Sequence, residues 1–111
     1  MTYPSEALCG ALRKSAARLG MPLIEGAVHS SDVFYRDAES DYWEKLRDEK
    51  GCLAVEMESF ALFHNAAATK KNAACLLTIS DSFVSHEETT AEQRQTSFTN
   101  MMEIALGSVL E

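Results

Sequence analysis

Apolar residues fall along this chain in two rhythms, helical spacing and short unbroken runs, and the two alternate from one end to the other. Pro4-Ser5-Glu6 opens a first helix that keeps Leu8, Leu12, Ala16 and Leu19 on one face and stops at Gly20. Met21 to Ser30 reads as a strand, followed by a loop of turn formers and aromatics, Ser31-Asp32-Val33-Phe34-Tyr35. Glu39 to Lys50 predicts a charged helix anchored by Tyr42, Trp43 and Leu46 and ended by Gly51. Cys52 to Val55 predicts a second, buried strand that runs into Glu56-Met57-Glu58. Ser59 to about Thr69 predicts a helix with Phe60, Ala61, His64 and Ala68 at helical spacing. Lys70-Lys71-Asn72 turns the chain into Ala73–Ile79, an apolar and β-branched run of the kind buried on both faces of a parallel sheet. The last helix opens on a capping box, Thr89 with Glu92 or Thr90 with Gln93, and carries Phe98, Met101, Met102, Ala105, Leu106 and Val109 as a broad apolar stripe.

This alternation predicts one α/β domain over residues 1–111, a three-layer unit with a mostly parallel sheet and right-handed crossovers. Three strands are few for an architecture that is covered on both faces, so the pattern points to further sheet supplied from elsewhere. Composition adds little, since 46% hydrophobic and 24% charged residues describe an ordinary globular domain. Charge adds more. Seventeen acidic against ten basic residues leave a net −7, which argues against nucleic acid as partner but leaves room for a small phosphorylated ligand. No run approaches the ~20 apolar residues of a membrane span, and the first residues lack the basic and apolar regions of a signal peptide. Cys9, Cys52 and Cys75 are odd in number and widely spaced, and they read as free thiols in a reducing cytoplasm.

The strand ends carry the candidate chemistry. Ala73–Ile79 ends in Ser80-Asp81, which puts a carboxylate at the C-terminal mouth of a predicted strand, where open α/β sheets bind ligands. Arg94 lies early in the following helix, on the side of Phe98, Met101, Met102 and Ala105. A guanidinium on an apolar stripe needs a partner, and Asp81 is the nearest candidate by chain topology. Taken singly, Asp81 would cap a loop and Arg94 would form a surface ion pair. Glu56 and Glu58 flank Met57 directly after the second strand. The commoner role for such glutamates is to favour the positive end of the next helix. Beside Asp81 they also offer acceptors for vicinal hydroxyls, with the Met57 thioether packing on a sugar face. His86-Glu87-Glu88 fails the zinc-protease spacing because residue 90 is threonine, and His29 and His64 have no ligand spacing. The five glycines are scattered singly, so there is no glycine-rich phosphate loop.

Three segments together resemble the C-terminal half of the bacterial-type, hexameric purine nucleoside phosphorylases. They are Val55-Glu56-Met57-Glu58, Thr78-Ile79-Ser80-Asp81, and His86-Glu87-Glu88-Thr89-Thr90 through Arg94-Gln95-Thr96-Ser97-Phe98. The first is shared across the nucleoside phosphorylase and nucleosidase superfamily, and the third is much more specific to the purine enzymes. Ser31-Asp32-Val33-Phe34-Tyr35 matches the family's base-contacting loop, and the similarity runs over essentially the whole chain.

The resemblance implies a nucleoside-phosphorylase-like unit lacking its N-terminal half. It implies phosphorolysis of a purine nucleoside to the base and ribose 1-phosphate, with inorganic phosphate as co-substrate and no cofactor or metal. Asp81 would be the general acid that protonates purine N7, and Arg94 would assist that proton transfer. Glu58 would accept from ribose hydroxyls and Met57 would pack on the sugar, while Phe34, Val55, Glu56 and Ser80 would line the nucleoside site. Family members are considerably longer, and the other half supplies the phosphate loop, phosphate-binding arginines and residues donated by a neighbouring subunit. A homo-oligomer or the missing half is therefore the expected partner. The alternatives are a nucleosidase or uridine phosphorylase of the same superfamily, or a non-catalytic nucleoside-binding remnant.

Overall fold

The computed structural model describes residues 1–31, 42–82 and 89–111. The expectations at Asp32–Tyr35, including Phe34, at the start of the second helix and at His86-Glu87-Glu88 lie outside the described residues.

Local sequence signals set the helices. Helix α1 (Glu6–Leu19) starts where the Ser5 hydroxyl accepts from the Leu8 amide and stops at Gly20, whose φ of 70° no branched residue adopts without strain. The Gly20 and Met21 amides then return to the Ala17 and Ala16 carbonyls, closing a Schellman turn. Helix α2 (Tyr42–Lys50) ends the same way at Gly51, and its half-buried residues are the anticipated Tyr42, Trp43 and Leu46. Helix α4 (Ala91–Gly107) is capped by Thr90 with Gln93, one of the two capping boxes foreseen, and runs on into a 3₁₀ turn at Ser108–Leu110.

Strands β1 (Ala27–Ser30) and β2 (Cys52–Glu56) run parallel in a two-stranded sheet. Their last residues, Ser30 and Glu56, lie opposite one another, so both strands present their C-terminal ends at one edge. Helix α3 (Ser59–Ala68) leaves from that edge, and α2 packs on β2. The α/β class and the parallel sheet agree with the pattern of the sequence.

Three expectations need correction. The first strand is shorter than Met21–Ser30, because Met21 belongs to the α1 terminator and Pro22 has no amide to give to a ladder. Ala73–Ile79 forms no ladder. It is tied near its ends, where the Ala73 carbonyl accepts from the Ser5 amide and the Ser80 carbonyl accepts from Thr89. Leu77 and Ile79 are exposed while Leu76 and Thr78 are half-buried, so one face is covered and not two. The α4 stripe is the third case. Of its residues only Met101 is half-buried, and the core position is Ile104.

The core sits where α1 crosses α4. Ala16 and Ile104 are 3% and 4% exposed, and the buried Ser15 hydroxyl donates to the Ile104 carbonyl at 2.7 Å. Gly107 permits the close approach, since a Cβ there would lie 2.5 Å from Ser15 Oγ and 2.6 Å from Arg18 Nη2. Arg18 closes the crossing by donating to the Gly107 carbonyl at 3.2 Å and pairing with Glu111 at 3.1 Å.

Two stability predictions follow from these contacts. Gly107→Ala gains helix propensity, but its methyl meets a hydroxyl pinned by a hydrogen bond, so the net loss should be about 1–2 kcal/mol. Urea titration followed by circular dichroism reads it, and adding Ser15→Ala should cost less than the two changes separately. Lys70, at φ 56°, occupies the left-handed position after α3 that glycine holds after α1. Lys70→Gly should therefore stabilise the chain by up to about 1 kcal/mol, seen as a raised Tm.

Candidate functional site at the strand ends

Glu56 organises the edge where the two strands end. One carboxylate oxygen accepts from the Glu58 amide at 2.6 Å and the Ser59 amide at 2.7 Å, and the other accepts from the Ser59 hydroxyl. Burial pushes this carboxyl up. The Ser59 hydroxyl, the Glu58 and Ser59 amides and the Ser30 hydroxyl together outweigh burial and hold it below its ordinary value. The Glu56 carbonyl accepts from Ser31 at 2.9 Å, and Ser30 Oγ accepts from the Phe60 amide at 3.2 Å. Glu56 thus satisfies amides at the start of α3, the commoner of the two roles open to it from sequence.

Its neighbours are less committed. Glu58 Oε2 accepts from the Met57 amide at 3.1 Å, and Oε1 has no partner among the described residues. Met57 and Val55 are exposed beside it. Cys75 comes close enough to be affected. Burial, with the Glu56 and Glu58 carboxylates adding to it, pushes its thiol up and keeps it protonated.

Asp81 and Arg94 do not form the anticipated ion pair. Asp81 is exposed, and its Oδ2 accepts from the Ser80 hydroxyl at 3.4 Å. Arg94 is half-buried and donates to the Thr89 carbonyl at 2.9 Å. That carbonyl precedes the helix and has no helical donor, whereas a solvent-exposed carboxylate gains little from pairing. Thr89 nevertheless links the two, because its amide and hydroxyl both reach the Ser80 carbonyl, at 3.0 and 2.8 Å. The sequence placed Thr89, Ser59 and Ser30 at element boundaries and gave them no part in the site. The signal for each was a small hydroxyl residue at an element boundary.

The other arginines among the described residues are engaged. Arg13 pairs with Glu6 and Glu25, Arg18 with Glu111, and Arg47 with Asp48. A separate groove of about 250 Å³ lies between residues 21–23, residues 76–78 and the Ser97–Ile104 side of α4, and none of the candidate residues lines it. Among the described residues no helix is long and apolar enough to cross a membrane.

A family model described as the phosphorylase superfamily matches residues 1–111, the entire chain. The chain belongs to that superfamily. It is 52% identical over 86 residues to a protein of Clostridium beijerinckii named purine nucleoside phosphorylase DeoD-type, covering 76% of this chain and 35% of that one. Relatives of the same name from Oceanobacillus iheyensis and an Exiguobacterium species are 47% and 41% identical, covering 83% and 87% of this chain. The chain spans 39% and 40% of those two relatives, so its superfamily match accounts for well under half of each.

Glu56 gives a pH prediction. Its folded pKa lies below the 4.5 of an unperturbed glutamate, so the ionised form stabilises the fold above that value. That contribution is lost as pH falls through the depressed value. Glu56→Gln should lower α3 helicity at neutral pH and flatten the loss of stability on acidification below about pH 5, measured by circular dichroism against pH.

Proposed function

We propose that this phosphorylase-superfamily chain carries the nucleoside-binding and general-acid half of a purine nucleoside phosphorylase. The observation behind the reading is the edge where β1 and β2 end together. There the Val55-Glu56-Met57-Glu58 turn offers an exposed thioether and a carboxylate oxygen with no partner among the described residues. The name carried by the relatives supports the same reading.

In this reaction the C1′–N9 bond of the nucleoside breaks, a phosphate oxygen bonds to C1′, and the departing purine takes a proton at N7. Asp81 delivers that proton and Arg94 steadies the acid, with Thr89 between them. Glu58 accepts from the ribose hydroxyls and Met57 packs on the sugar. Phe34, Val55, Glu56 and Ser80 line the nucleoside site. Inorganic phosphate is the co-substrate and no metal or organic cofactor takes part. The three cysteines, all free and half-buried, suit a cytoplasmic setting.

Phosphate needs cations and amides to hold it against the sugar. Arg13, Arg18, Arg47 and Arg94 are each engaged, and Arg36, outside the described residues, belongs to the base-side loop by the family match, so these groups are expected from another polypeptide segment. The same observation favours a second reading, nucleoside binding without turnover. Incubation with inosine, with and without phosphate, separates them. Ribose 1-phosphate supports the first, free ribose indicates a nucleosidase, and calorimetric binding without product indicates the second reading. We expect this chain alone to turn over poorly. In an active assembly, Asp81→Asn should slow phosphorolysis by about 10²–10⁴-fold, and Arg94→Ala should lower kcat more than it raises KM. Parent-like rates in both variants would reject the assignment.

A further inference from the structure

Glu58 occupies the N-cap position of α3, yet its side chain makes no capping hydrogen bond. An acceptor at that position commonly takes an amide of the first turn, which has no partner inside the helix, and negative charge is favoured there too. Here those amides are already taken. The Ser59 amide donates to Glu56 at 2.7 Å, and the amide of Glu58 itself donates to the same oxygen at 2.6 Å. The Phe60 amide donates to Ser30 Oγ at 3.2 Å. The start of α3 is therefore capped from β2 and from β1, the latter by a residue 30 positions away in sequence.

Two hydroxyls hold this arrangement. Ser59, 4% exposed, donates to the second oxygen of Glu56. The Ser30 hydroxyl also bonds Glu56 while accepting from Phe60, and both contacts favour the ionised carboxylate against the cost of its burial. Water does not readily replace a hydroxyl as enclosed as that of Ser59, so its loss leaves part of a charge unsatisfied. Of the titratable groups nearby, Glu58 carries like charge and the Cys75 thiol is held protonated.

We infer that Ser59 and Ser30 are positioning residues: by binding Glu56 and the first amides of α3, they release Glu58 from capping and leave its carboxylate to a neutral ligand with adjacent hydroxyls. Glu58 Oε1 has no partner among the described residues, and two adjacent hydroxyls can both donate to one carboxylate. Glu56, held in its own amides, does not compete for those donors. Two glutamates this close disfavour an anionic group in the same place. The inference rests on the reading above, in which the ligand is the ribose of a purine nucleoside.

Calorimetry on this chain with inosine and with 2′,3′-dideoxyinosine, which lacks both hydroxyls, tests it. Ser59→Ala should weaken inosine binding by about tenfold and leave dideoxyinosine unchanged, whereas a merely structural loss would weaken both. On a Glu56→Gln background the same substitution should have no further effect, because it acts through that carboxylate. Ser30→Ala, which frees the Phe60 amide without opening the buried Ser59 position, should repeat the pattern. An NMR pH titration gives a second measurement that needs no ligand. In the parent, the Ser59 amide shift should follow the carboxyl carbon of Glu56, and in Ser30→Ala the open Phe60 amide should begin to follow Glu58. No preference for inosine in the parent, equal weakening of both nucleosides, an undiminished Ser59→Ala effect on Glu56→Gln, or parent amides that follow Glu58 would overturn the inference. A parent that binds neither nucleoside would reject the nucleoside reading, and the titration alone would then decide whether Glu58 is released.

Discussion

Three of the four residues buried among the described part of the chain, Ser15, Ala16 and Ile104, meet at one helix crossing. The elements joined there are some 89 residues apart in sequence, and they are held by the Ser15 hydroxyl on the Ile104 carbonyl. The crossing is as close as it is because Ser15, Ala16 and Gly107 are small, so dispersion contacts and a backbone hydrogen bond form where larger side chains would hold the helices apart. The orientation of α4 follows from this contact. So does the position of its first turn, where Thr89 holds both the Ser80 carbonyl and, through its own carbonyl, Arg94.

A second centre, at Glu56, is polar. A carboxylate at the end of a strand satisfies the amides that a helix start leaves open, and so fixes how the chain turns from β2 into α3. The consequence for chemistry lies in the next two residues. With Glu56 occupied, Met57 and Glu58 are free to meet a ligand from a turn that cannot easily change shape. The cluster is also anionic. Glu56 is held ionised, Glu58 follows two residues on, and the described arginines are spent on other partners. Such an edge suits neutral hydroxyls, which donate to carboxylates, and disfavours an unaccompanied phosphate. The proposed division of labour between a hydroxyl-binding half and an anion-binding half elsewhere rests on this electrostatic contrast as well as on family resemblance.

Between these two centres the chain holds together loosely. Ala73–Ile79 connects them and has strand composition, yet it is fixed by backbone only near its ends. Apolar side chains on β2 (Leu53, Val55), at Leu77 and Ile79, and on α4 (Phe98, Met102, Leu106) each face water, a condition that natural domains avoid over large areas.

What the sequence by itself determined was local. Helix ends at Gly20 and Gly51, the Thr90–Gln93 capping box, the anchors of α2 and the family-specific segments were all legible. Each depends on residues within a few positions of one another, whose geometry the backbone fixes without outside help. The tertiary structure alone decided the rest. It showed that Ile104 and not the broader stripe is the core of α4, because burial belongs to whichever face finds a neighbour. It showed that Ala73–Ile79 makes no ladder, because strand composition is a preference for a partner and cannot supply one. It also turned Arg94 toward the Thr89 carbonyl instead of Asp81, because an open carbonyl close in sequence is a nearer acceptor than a carboxylate already bathed in water.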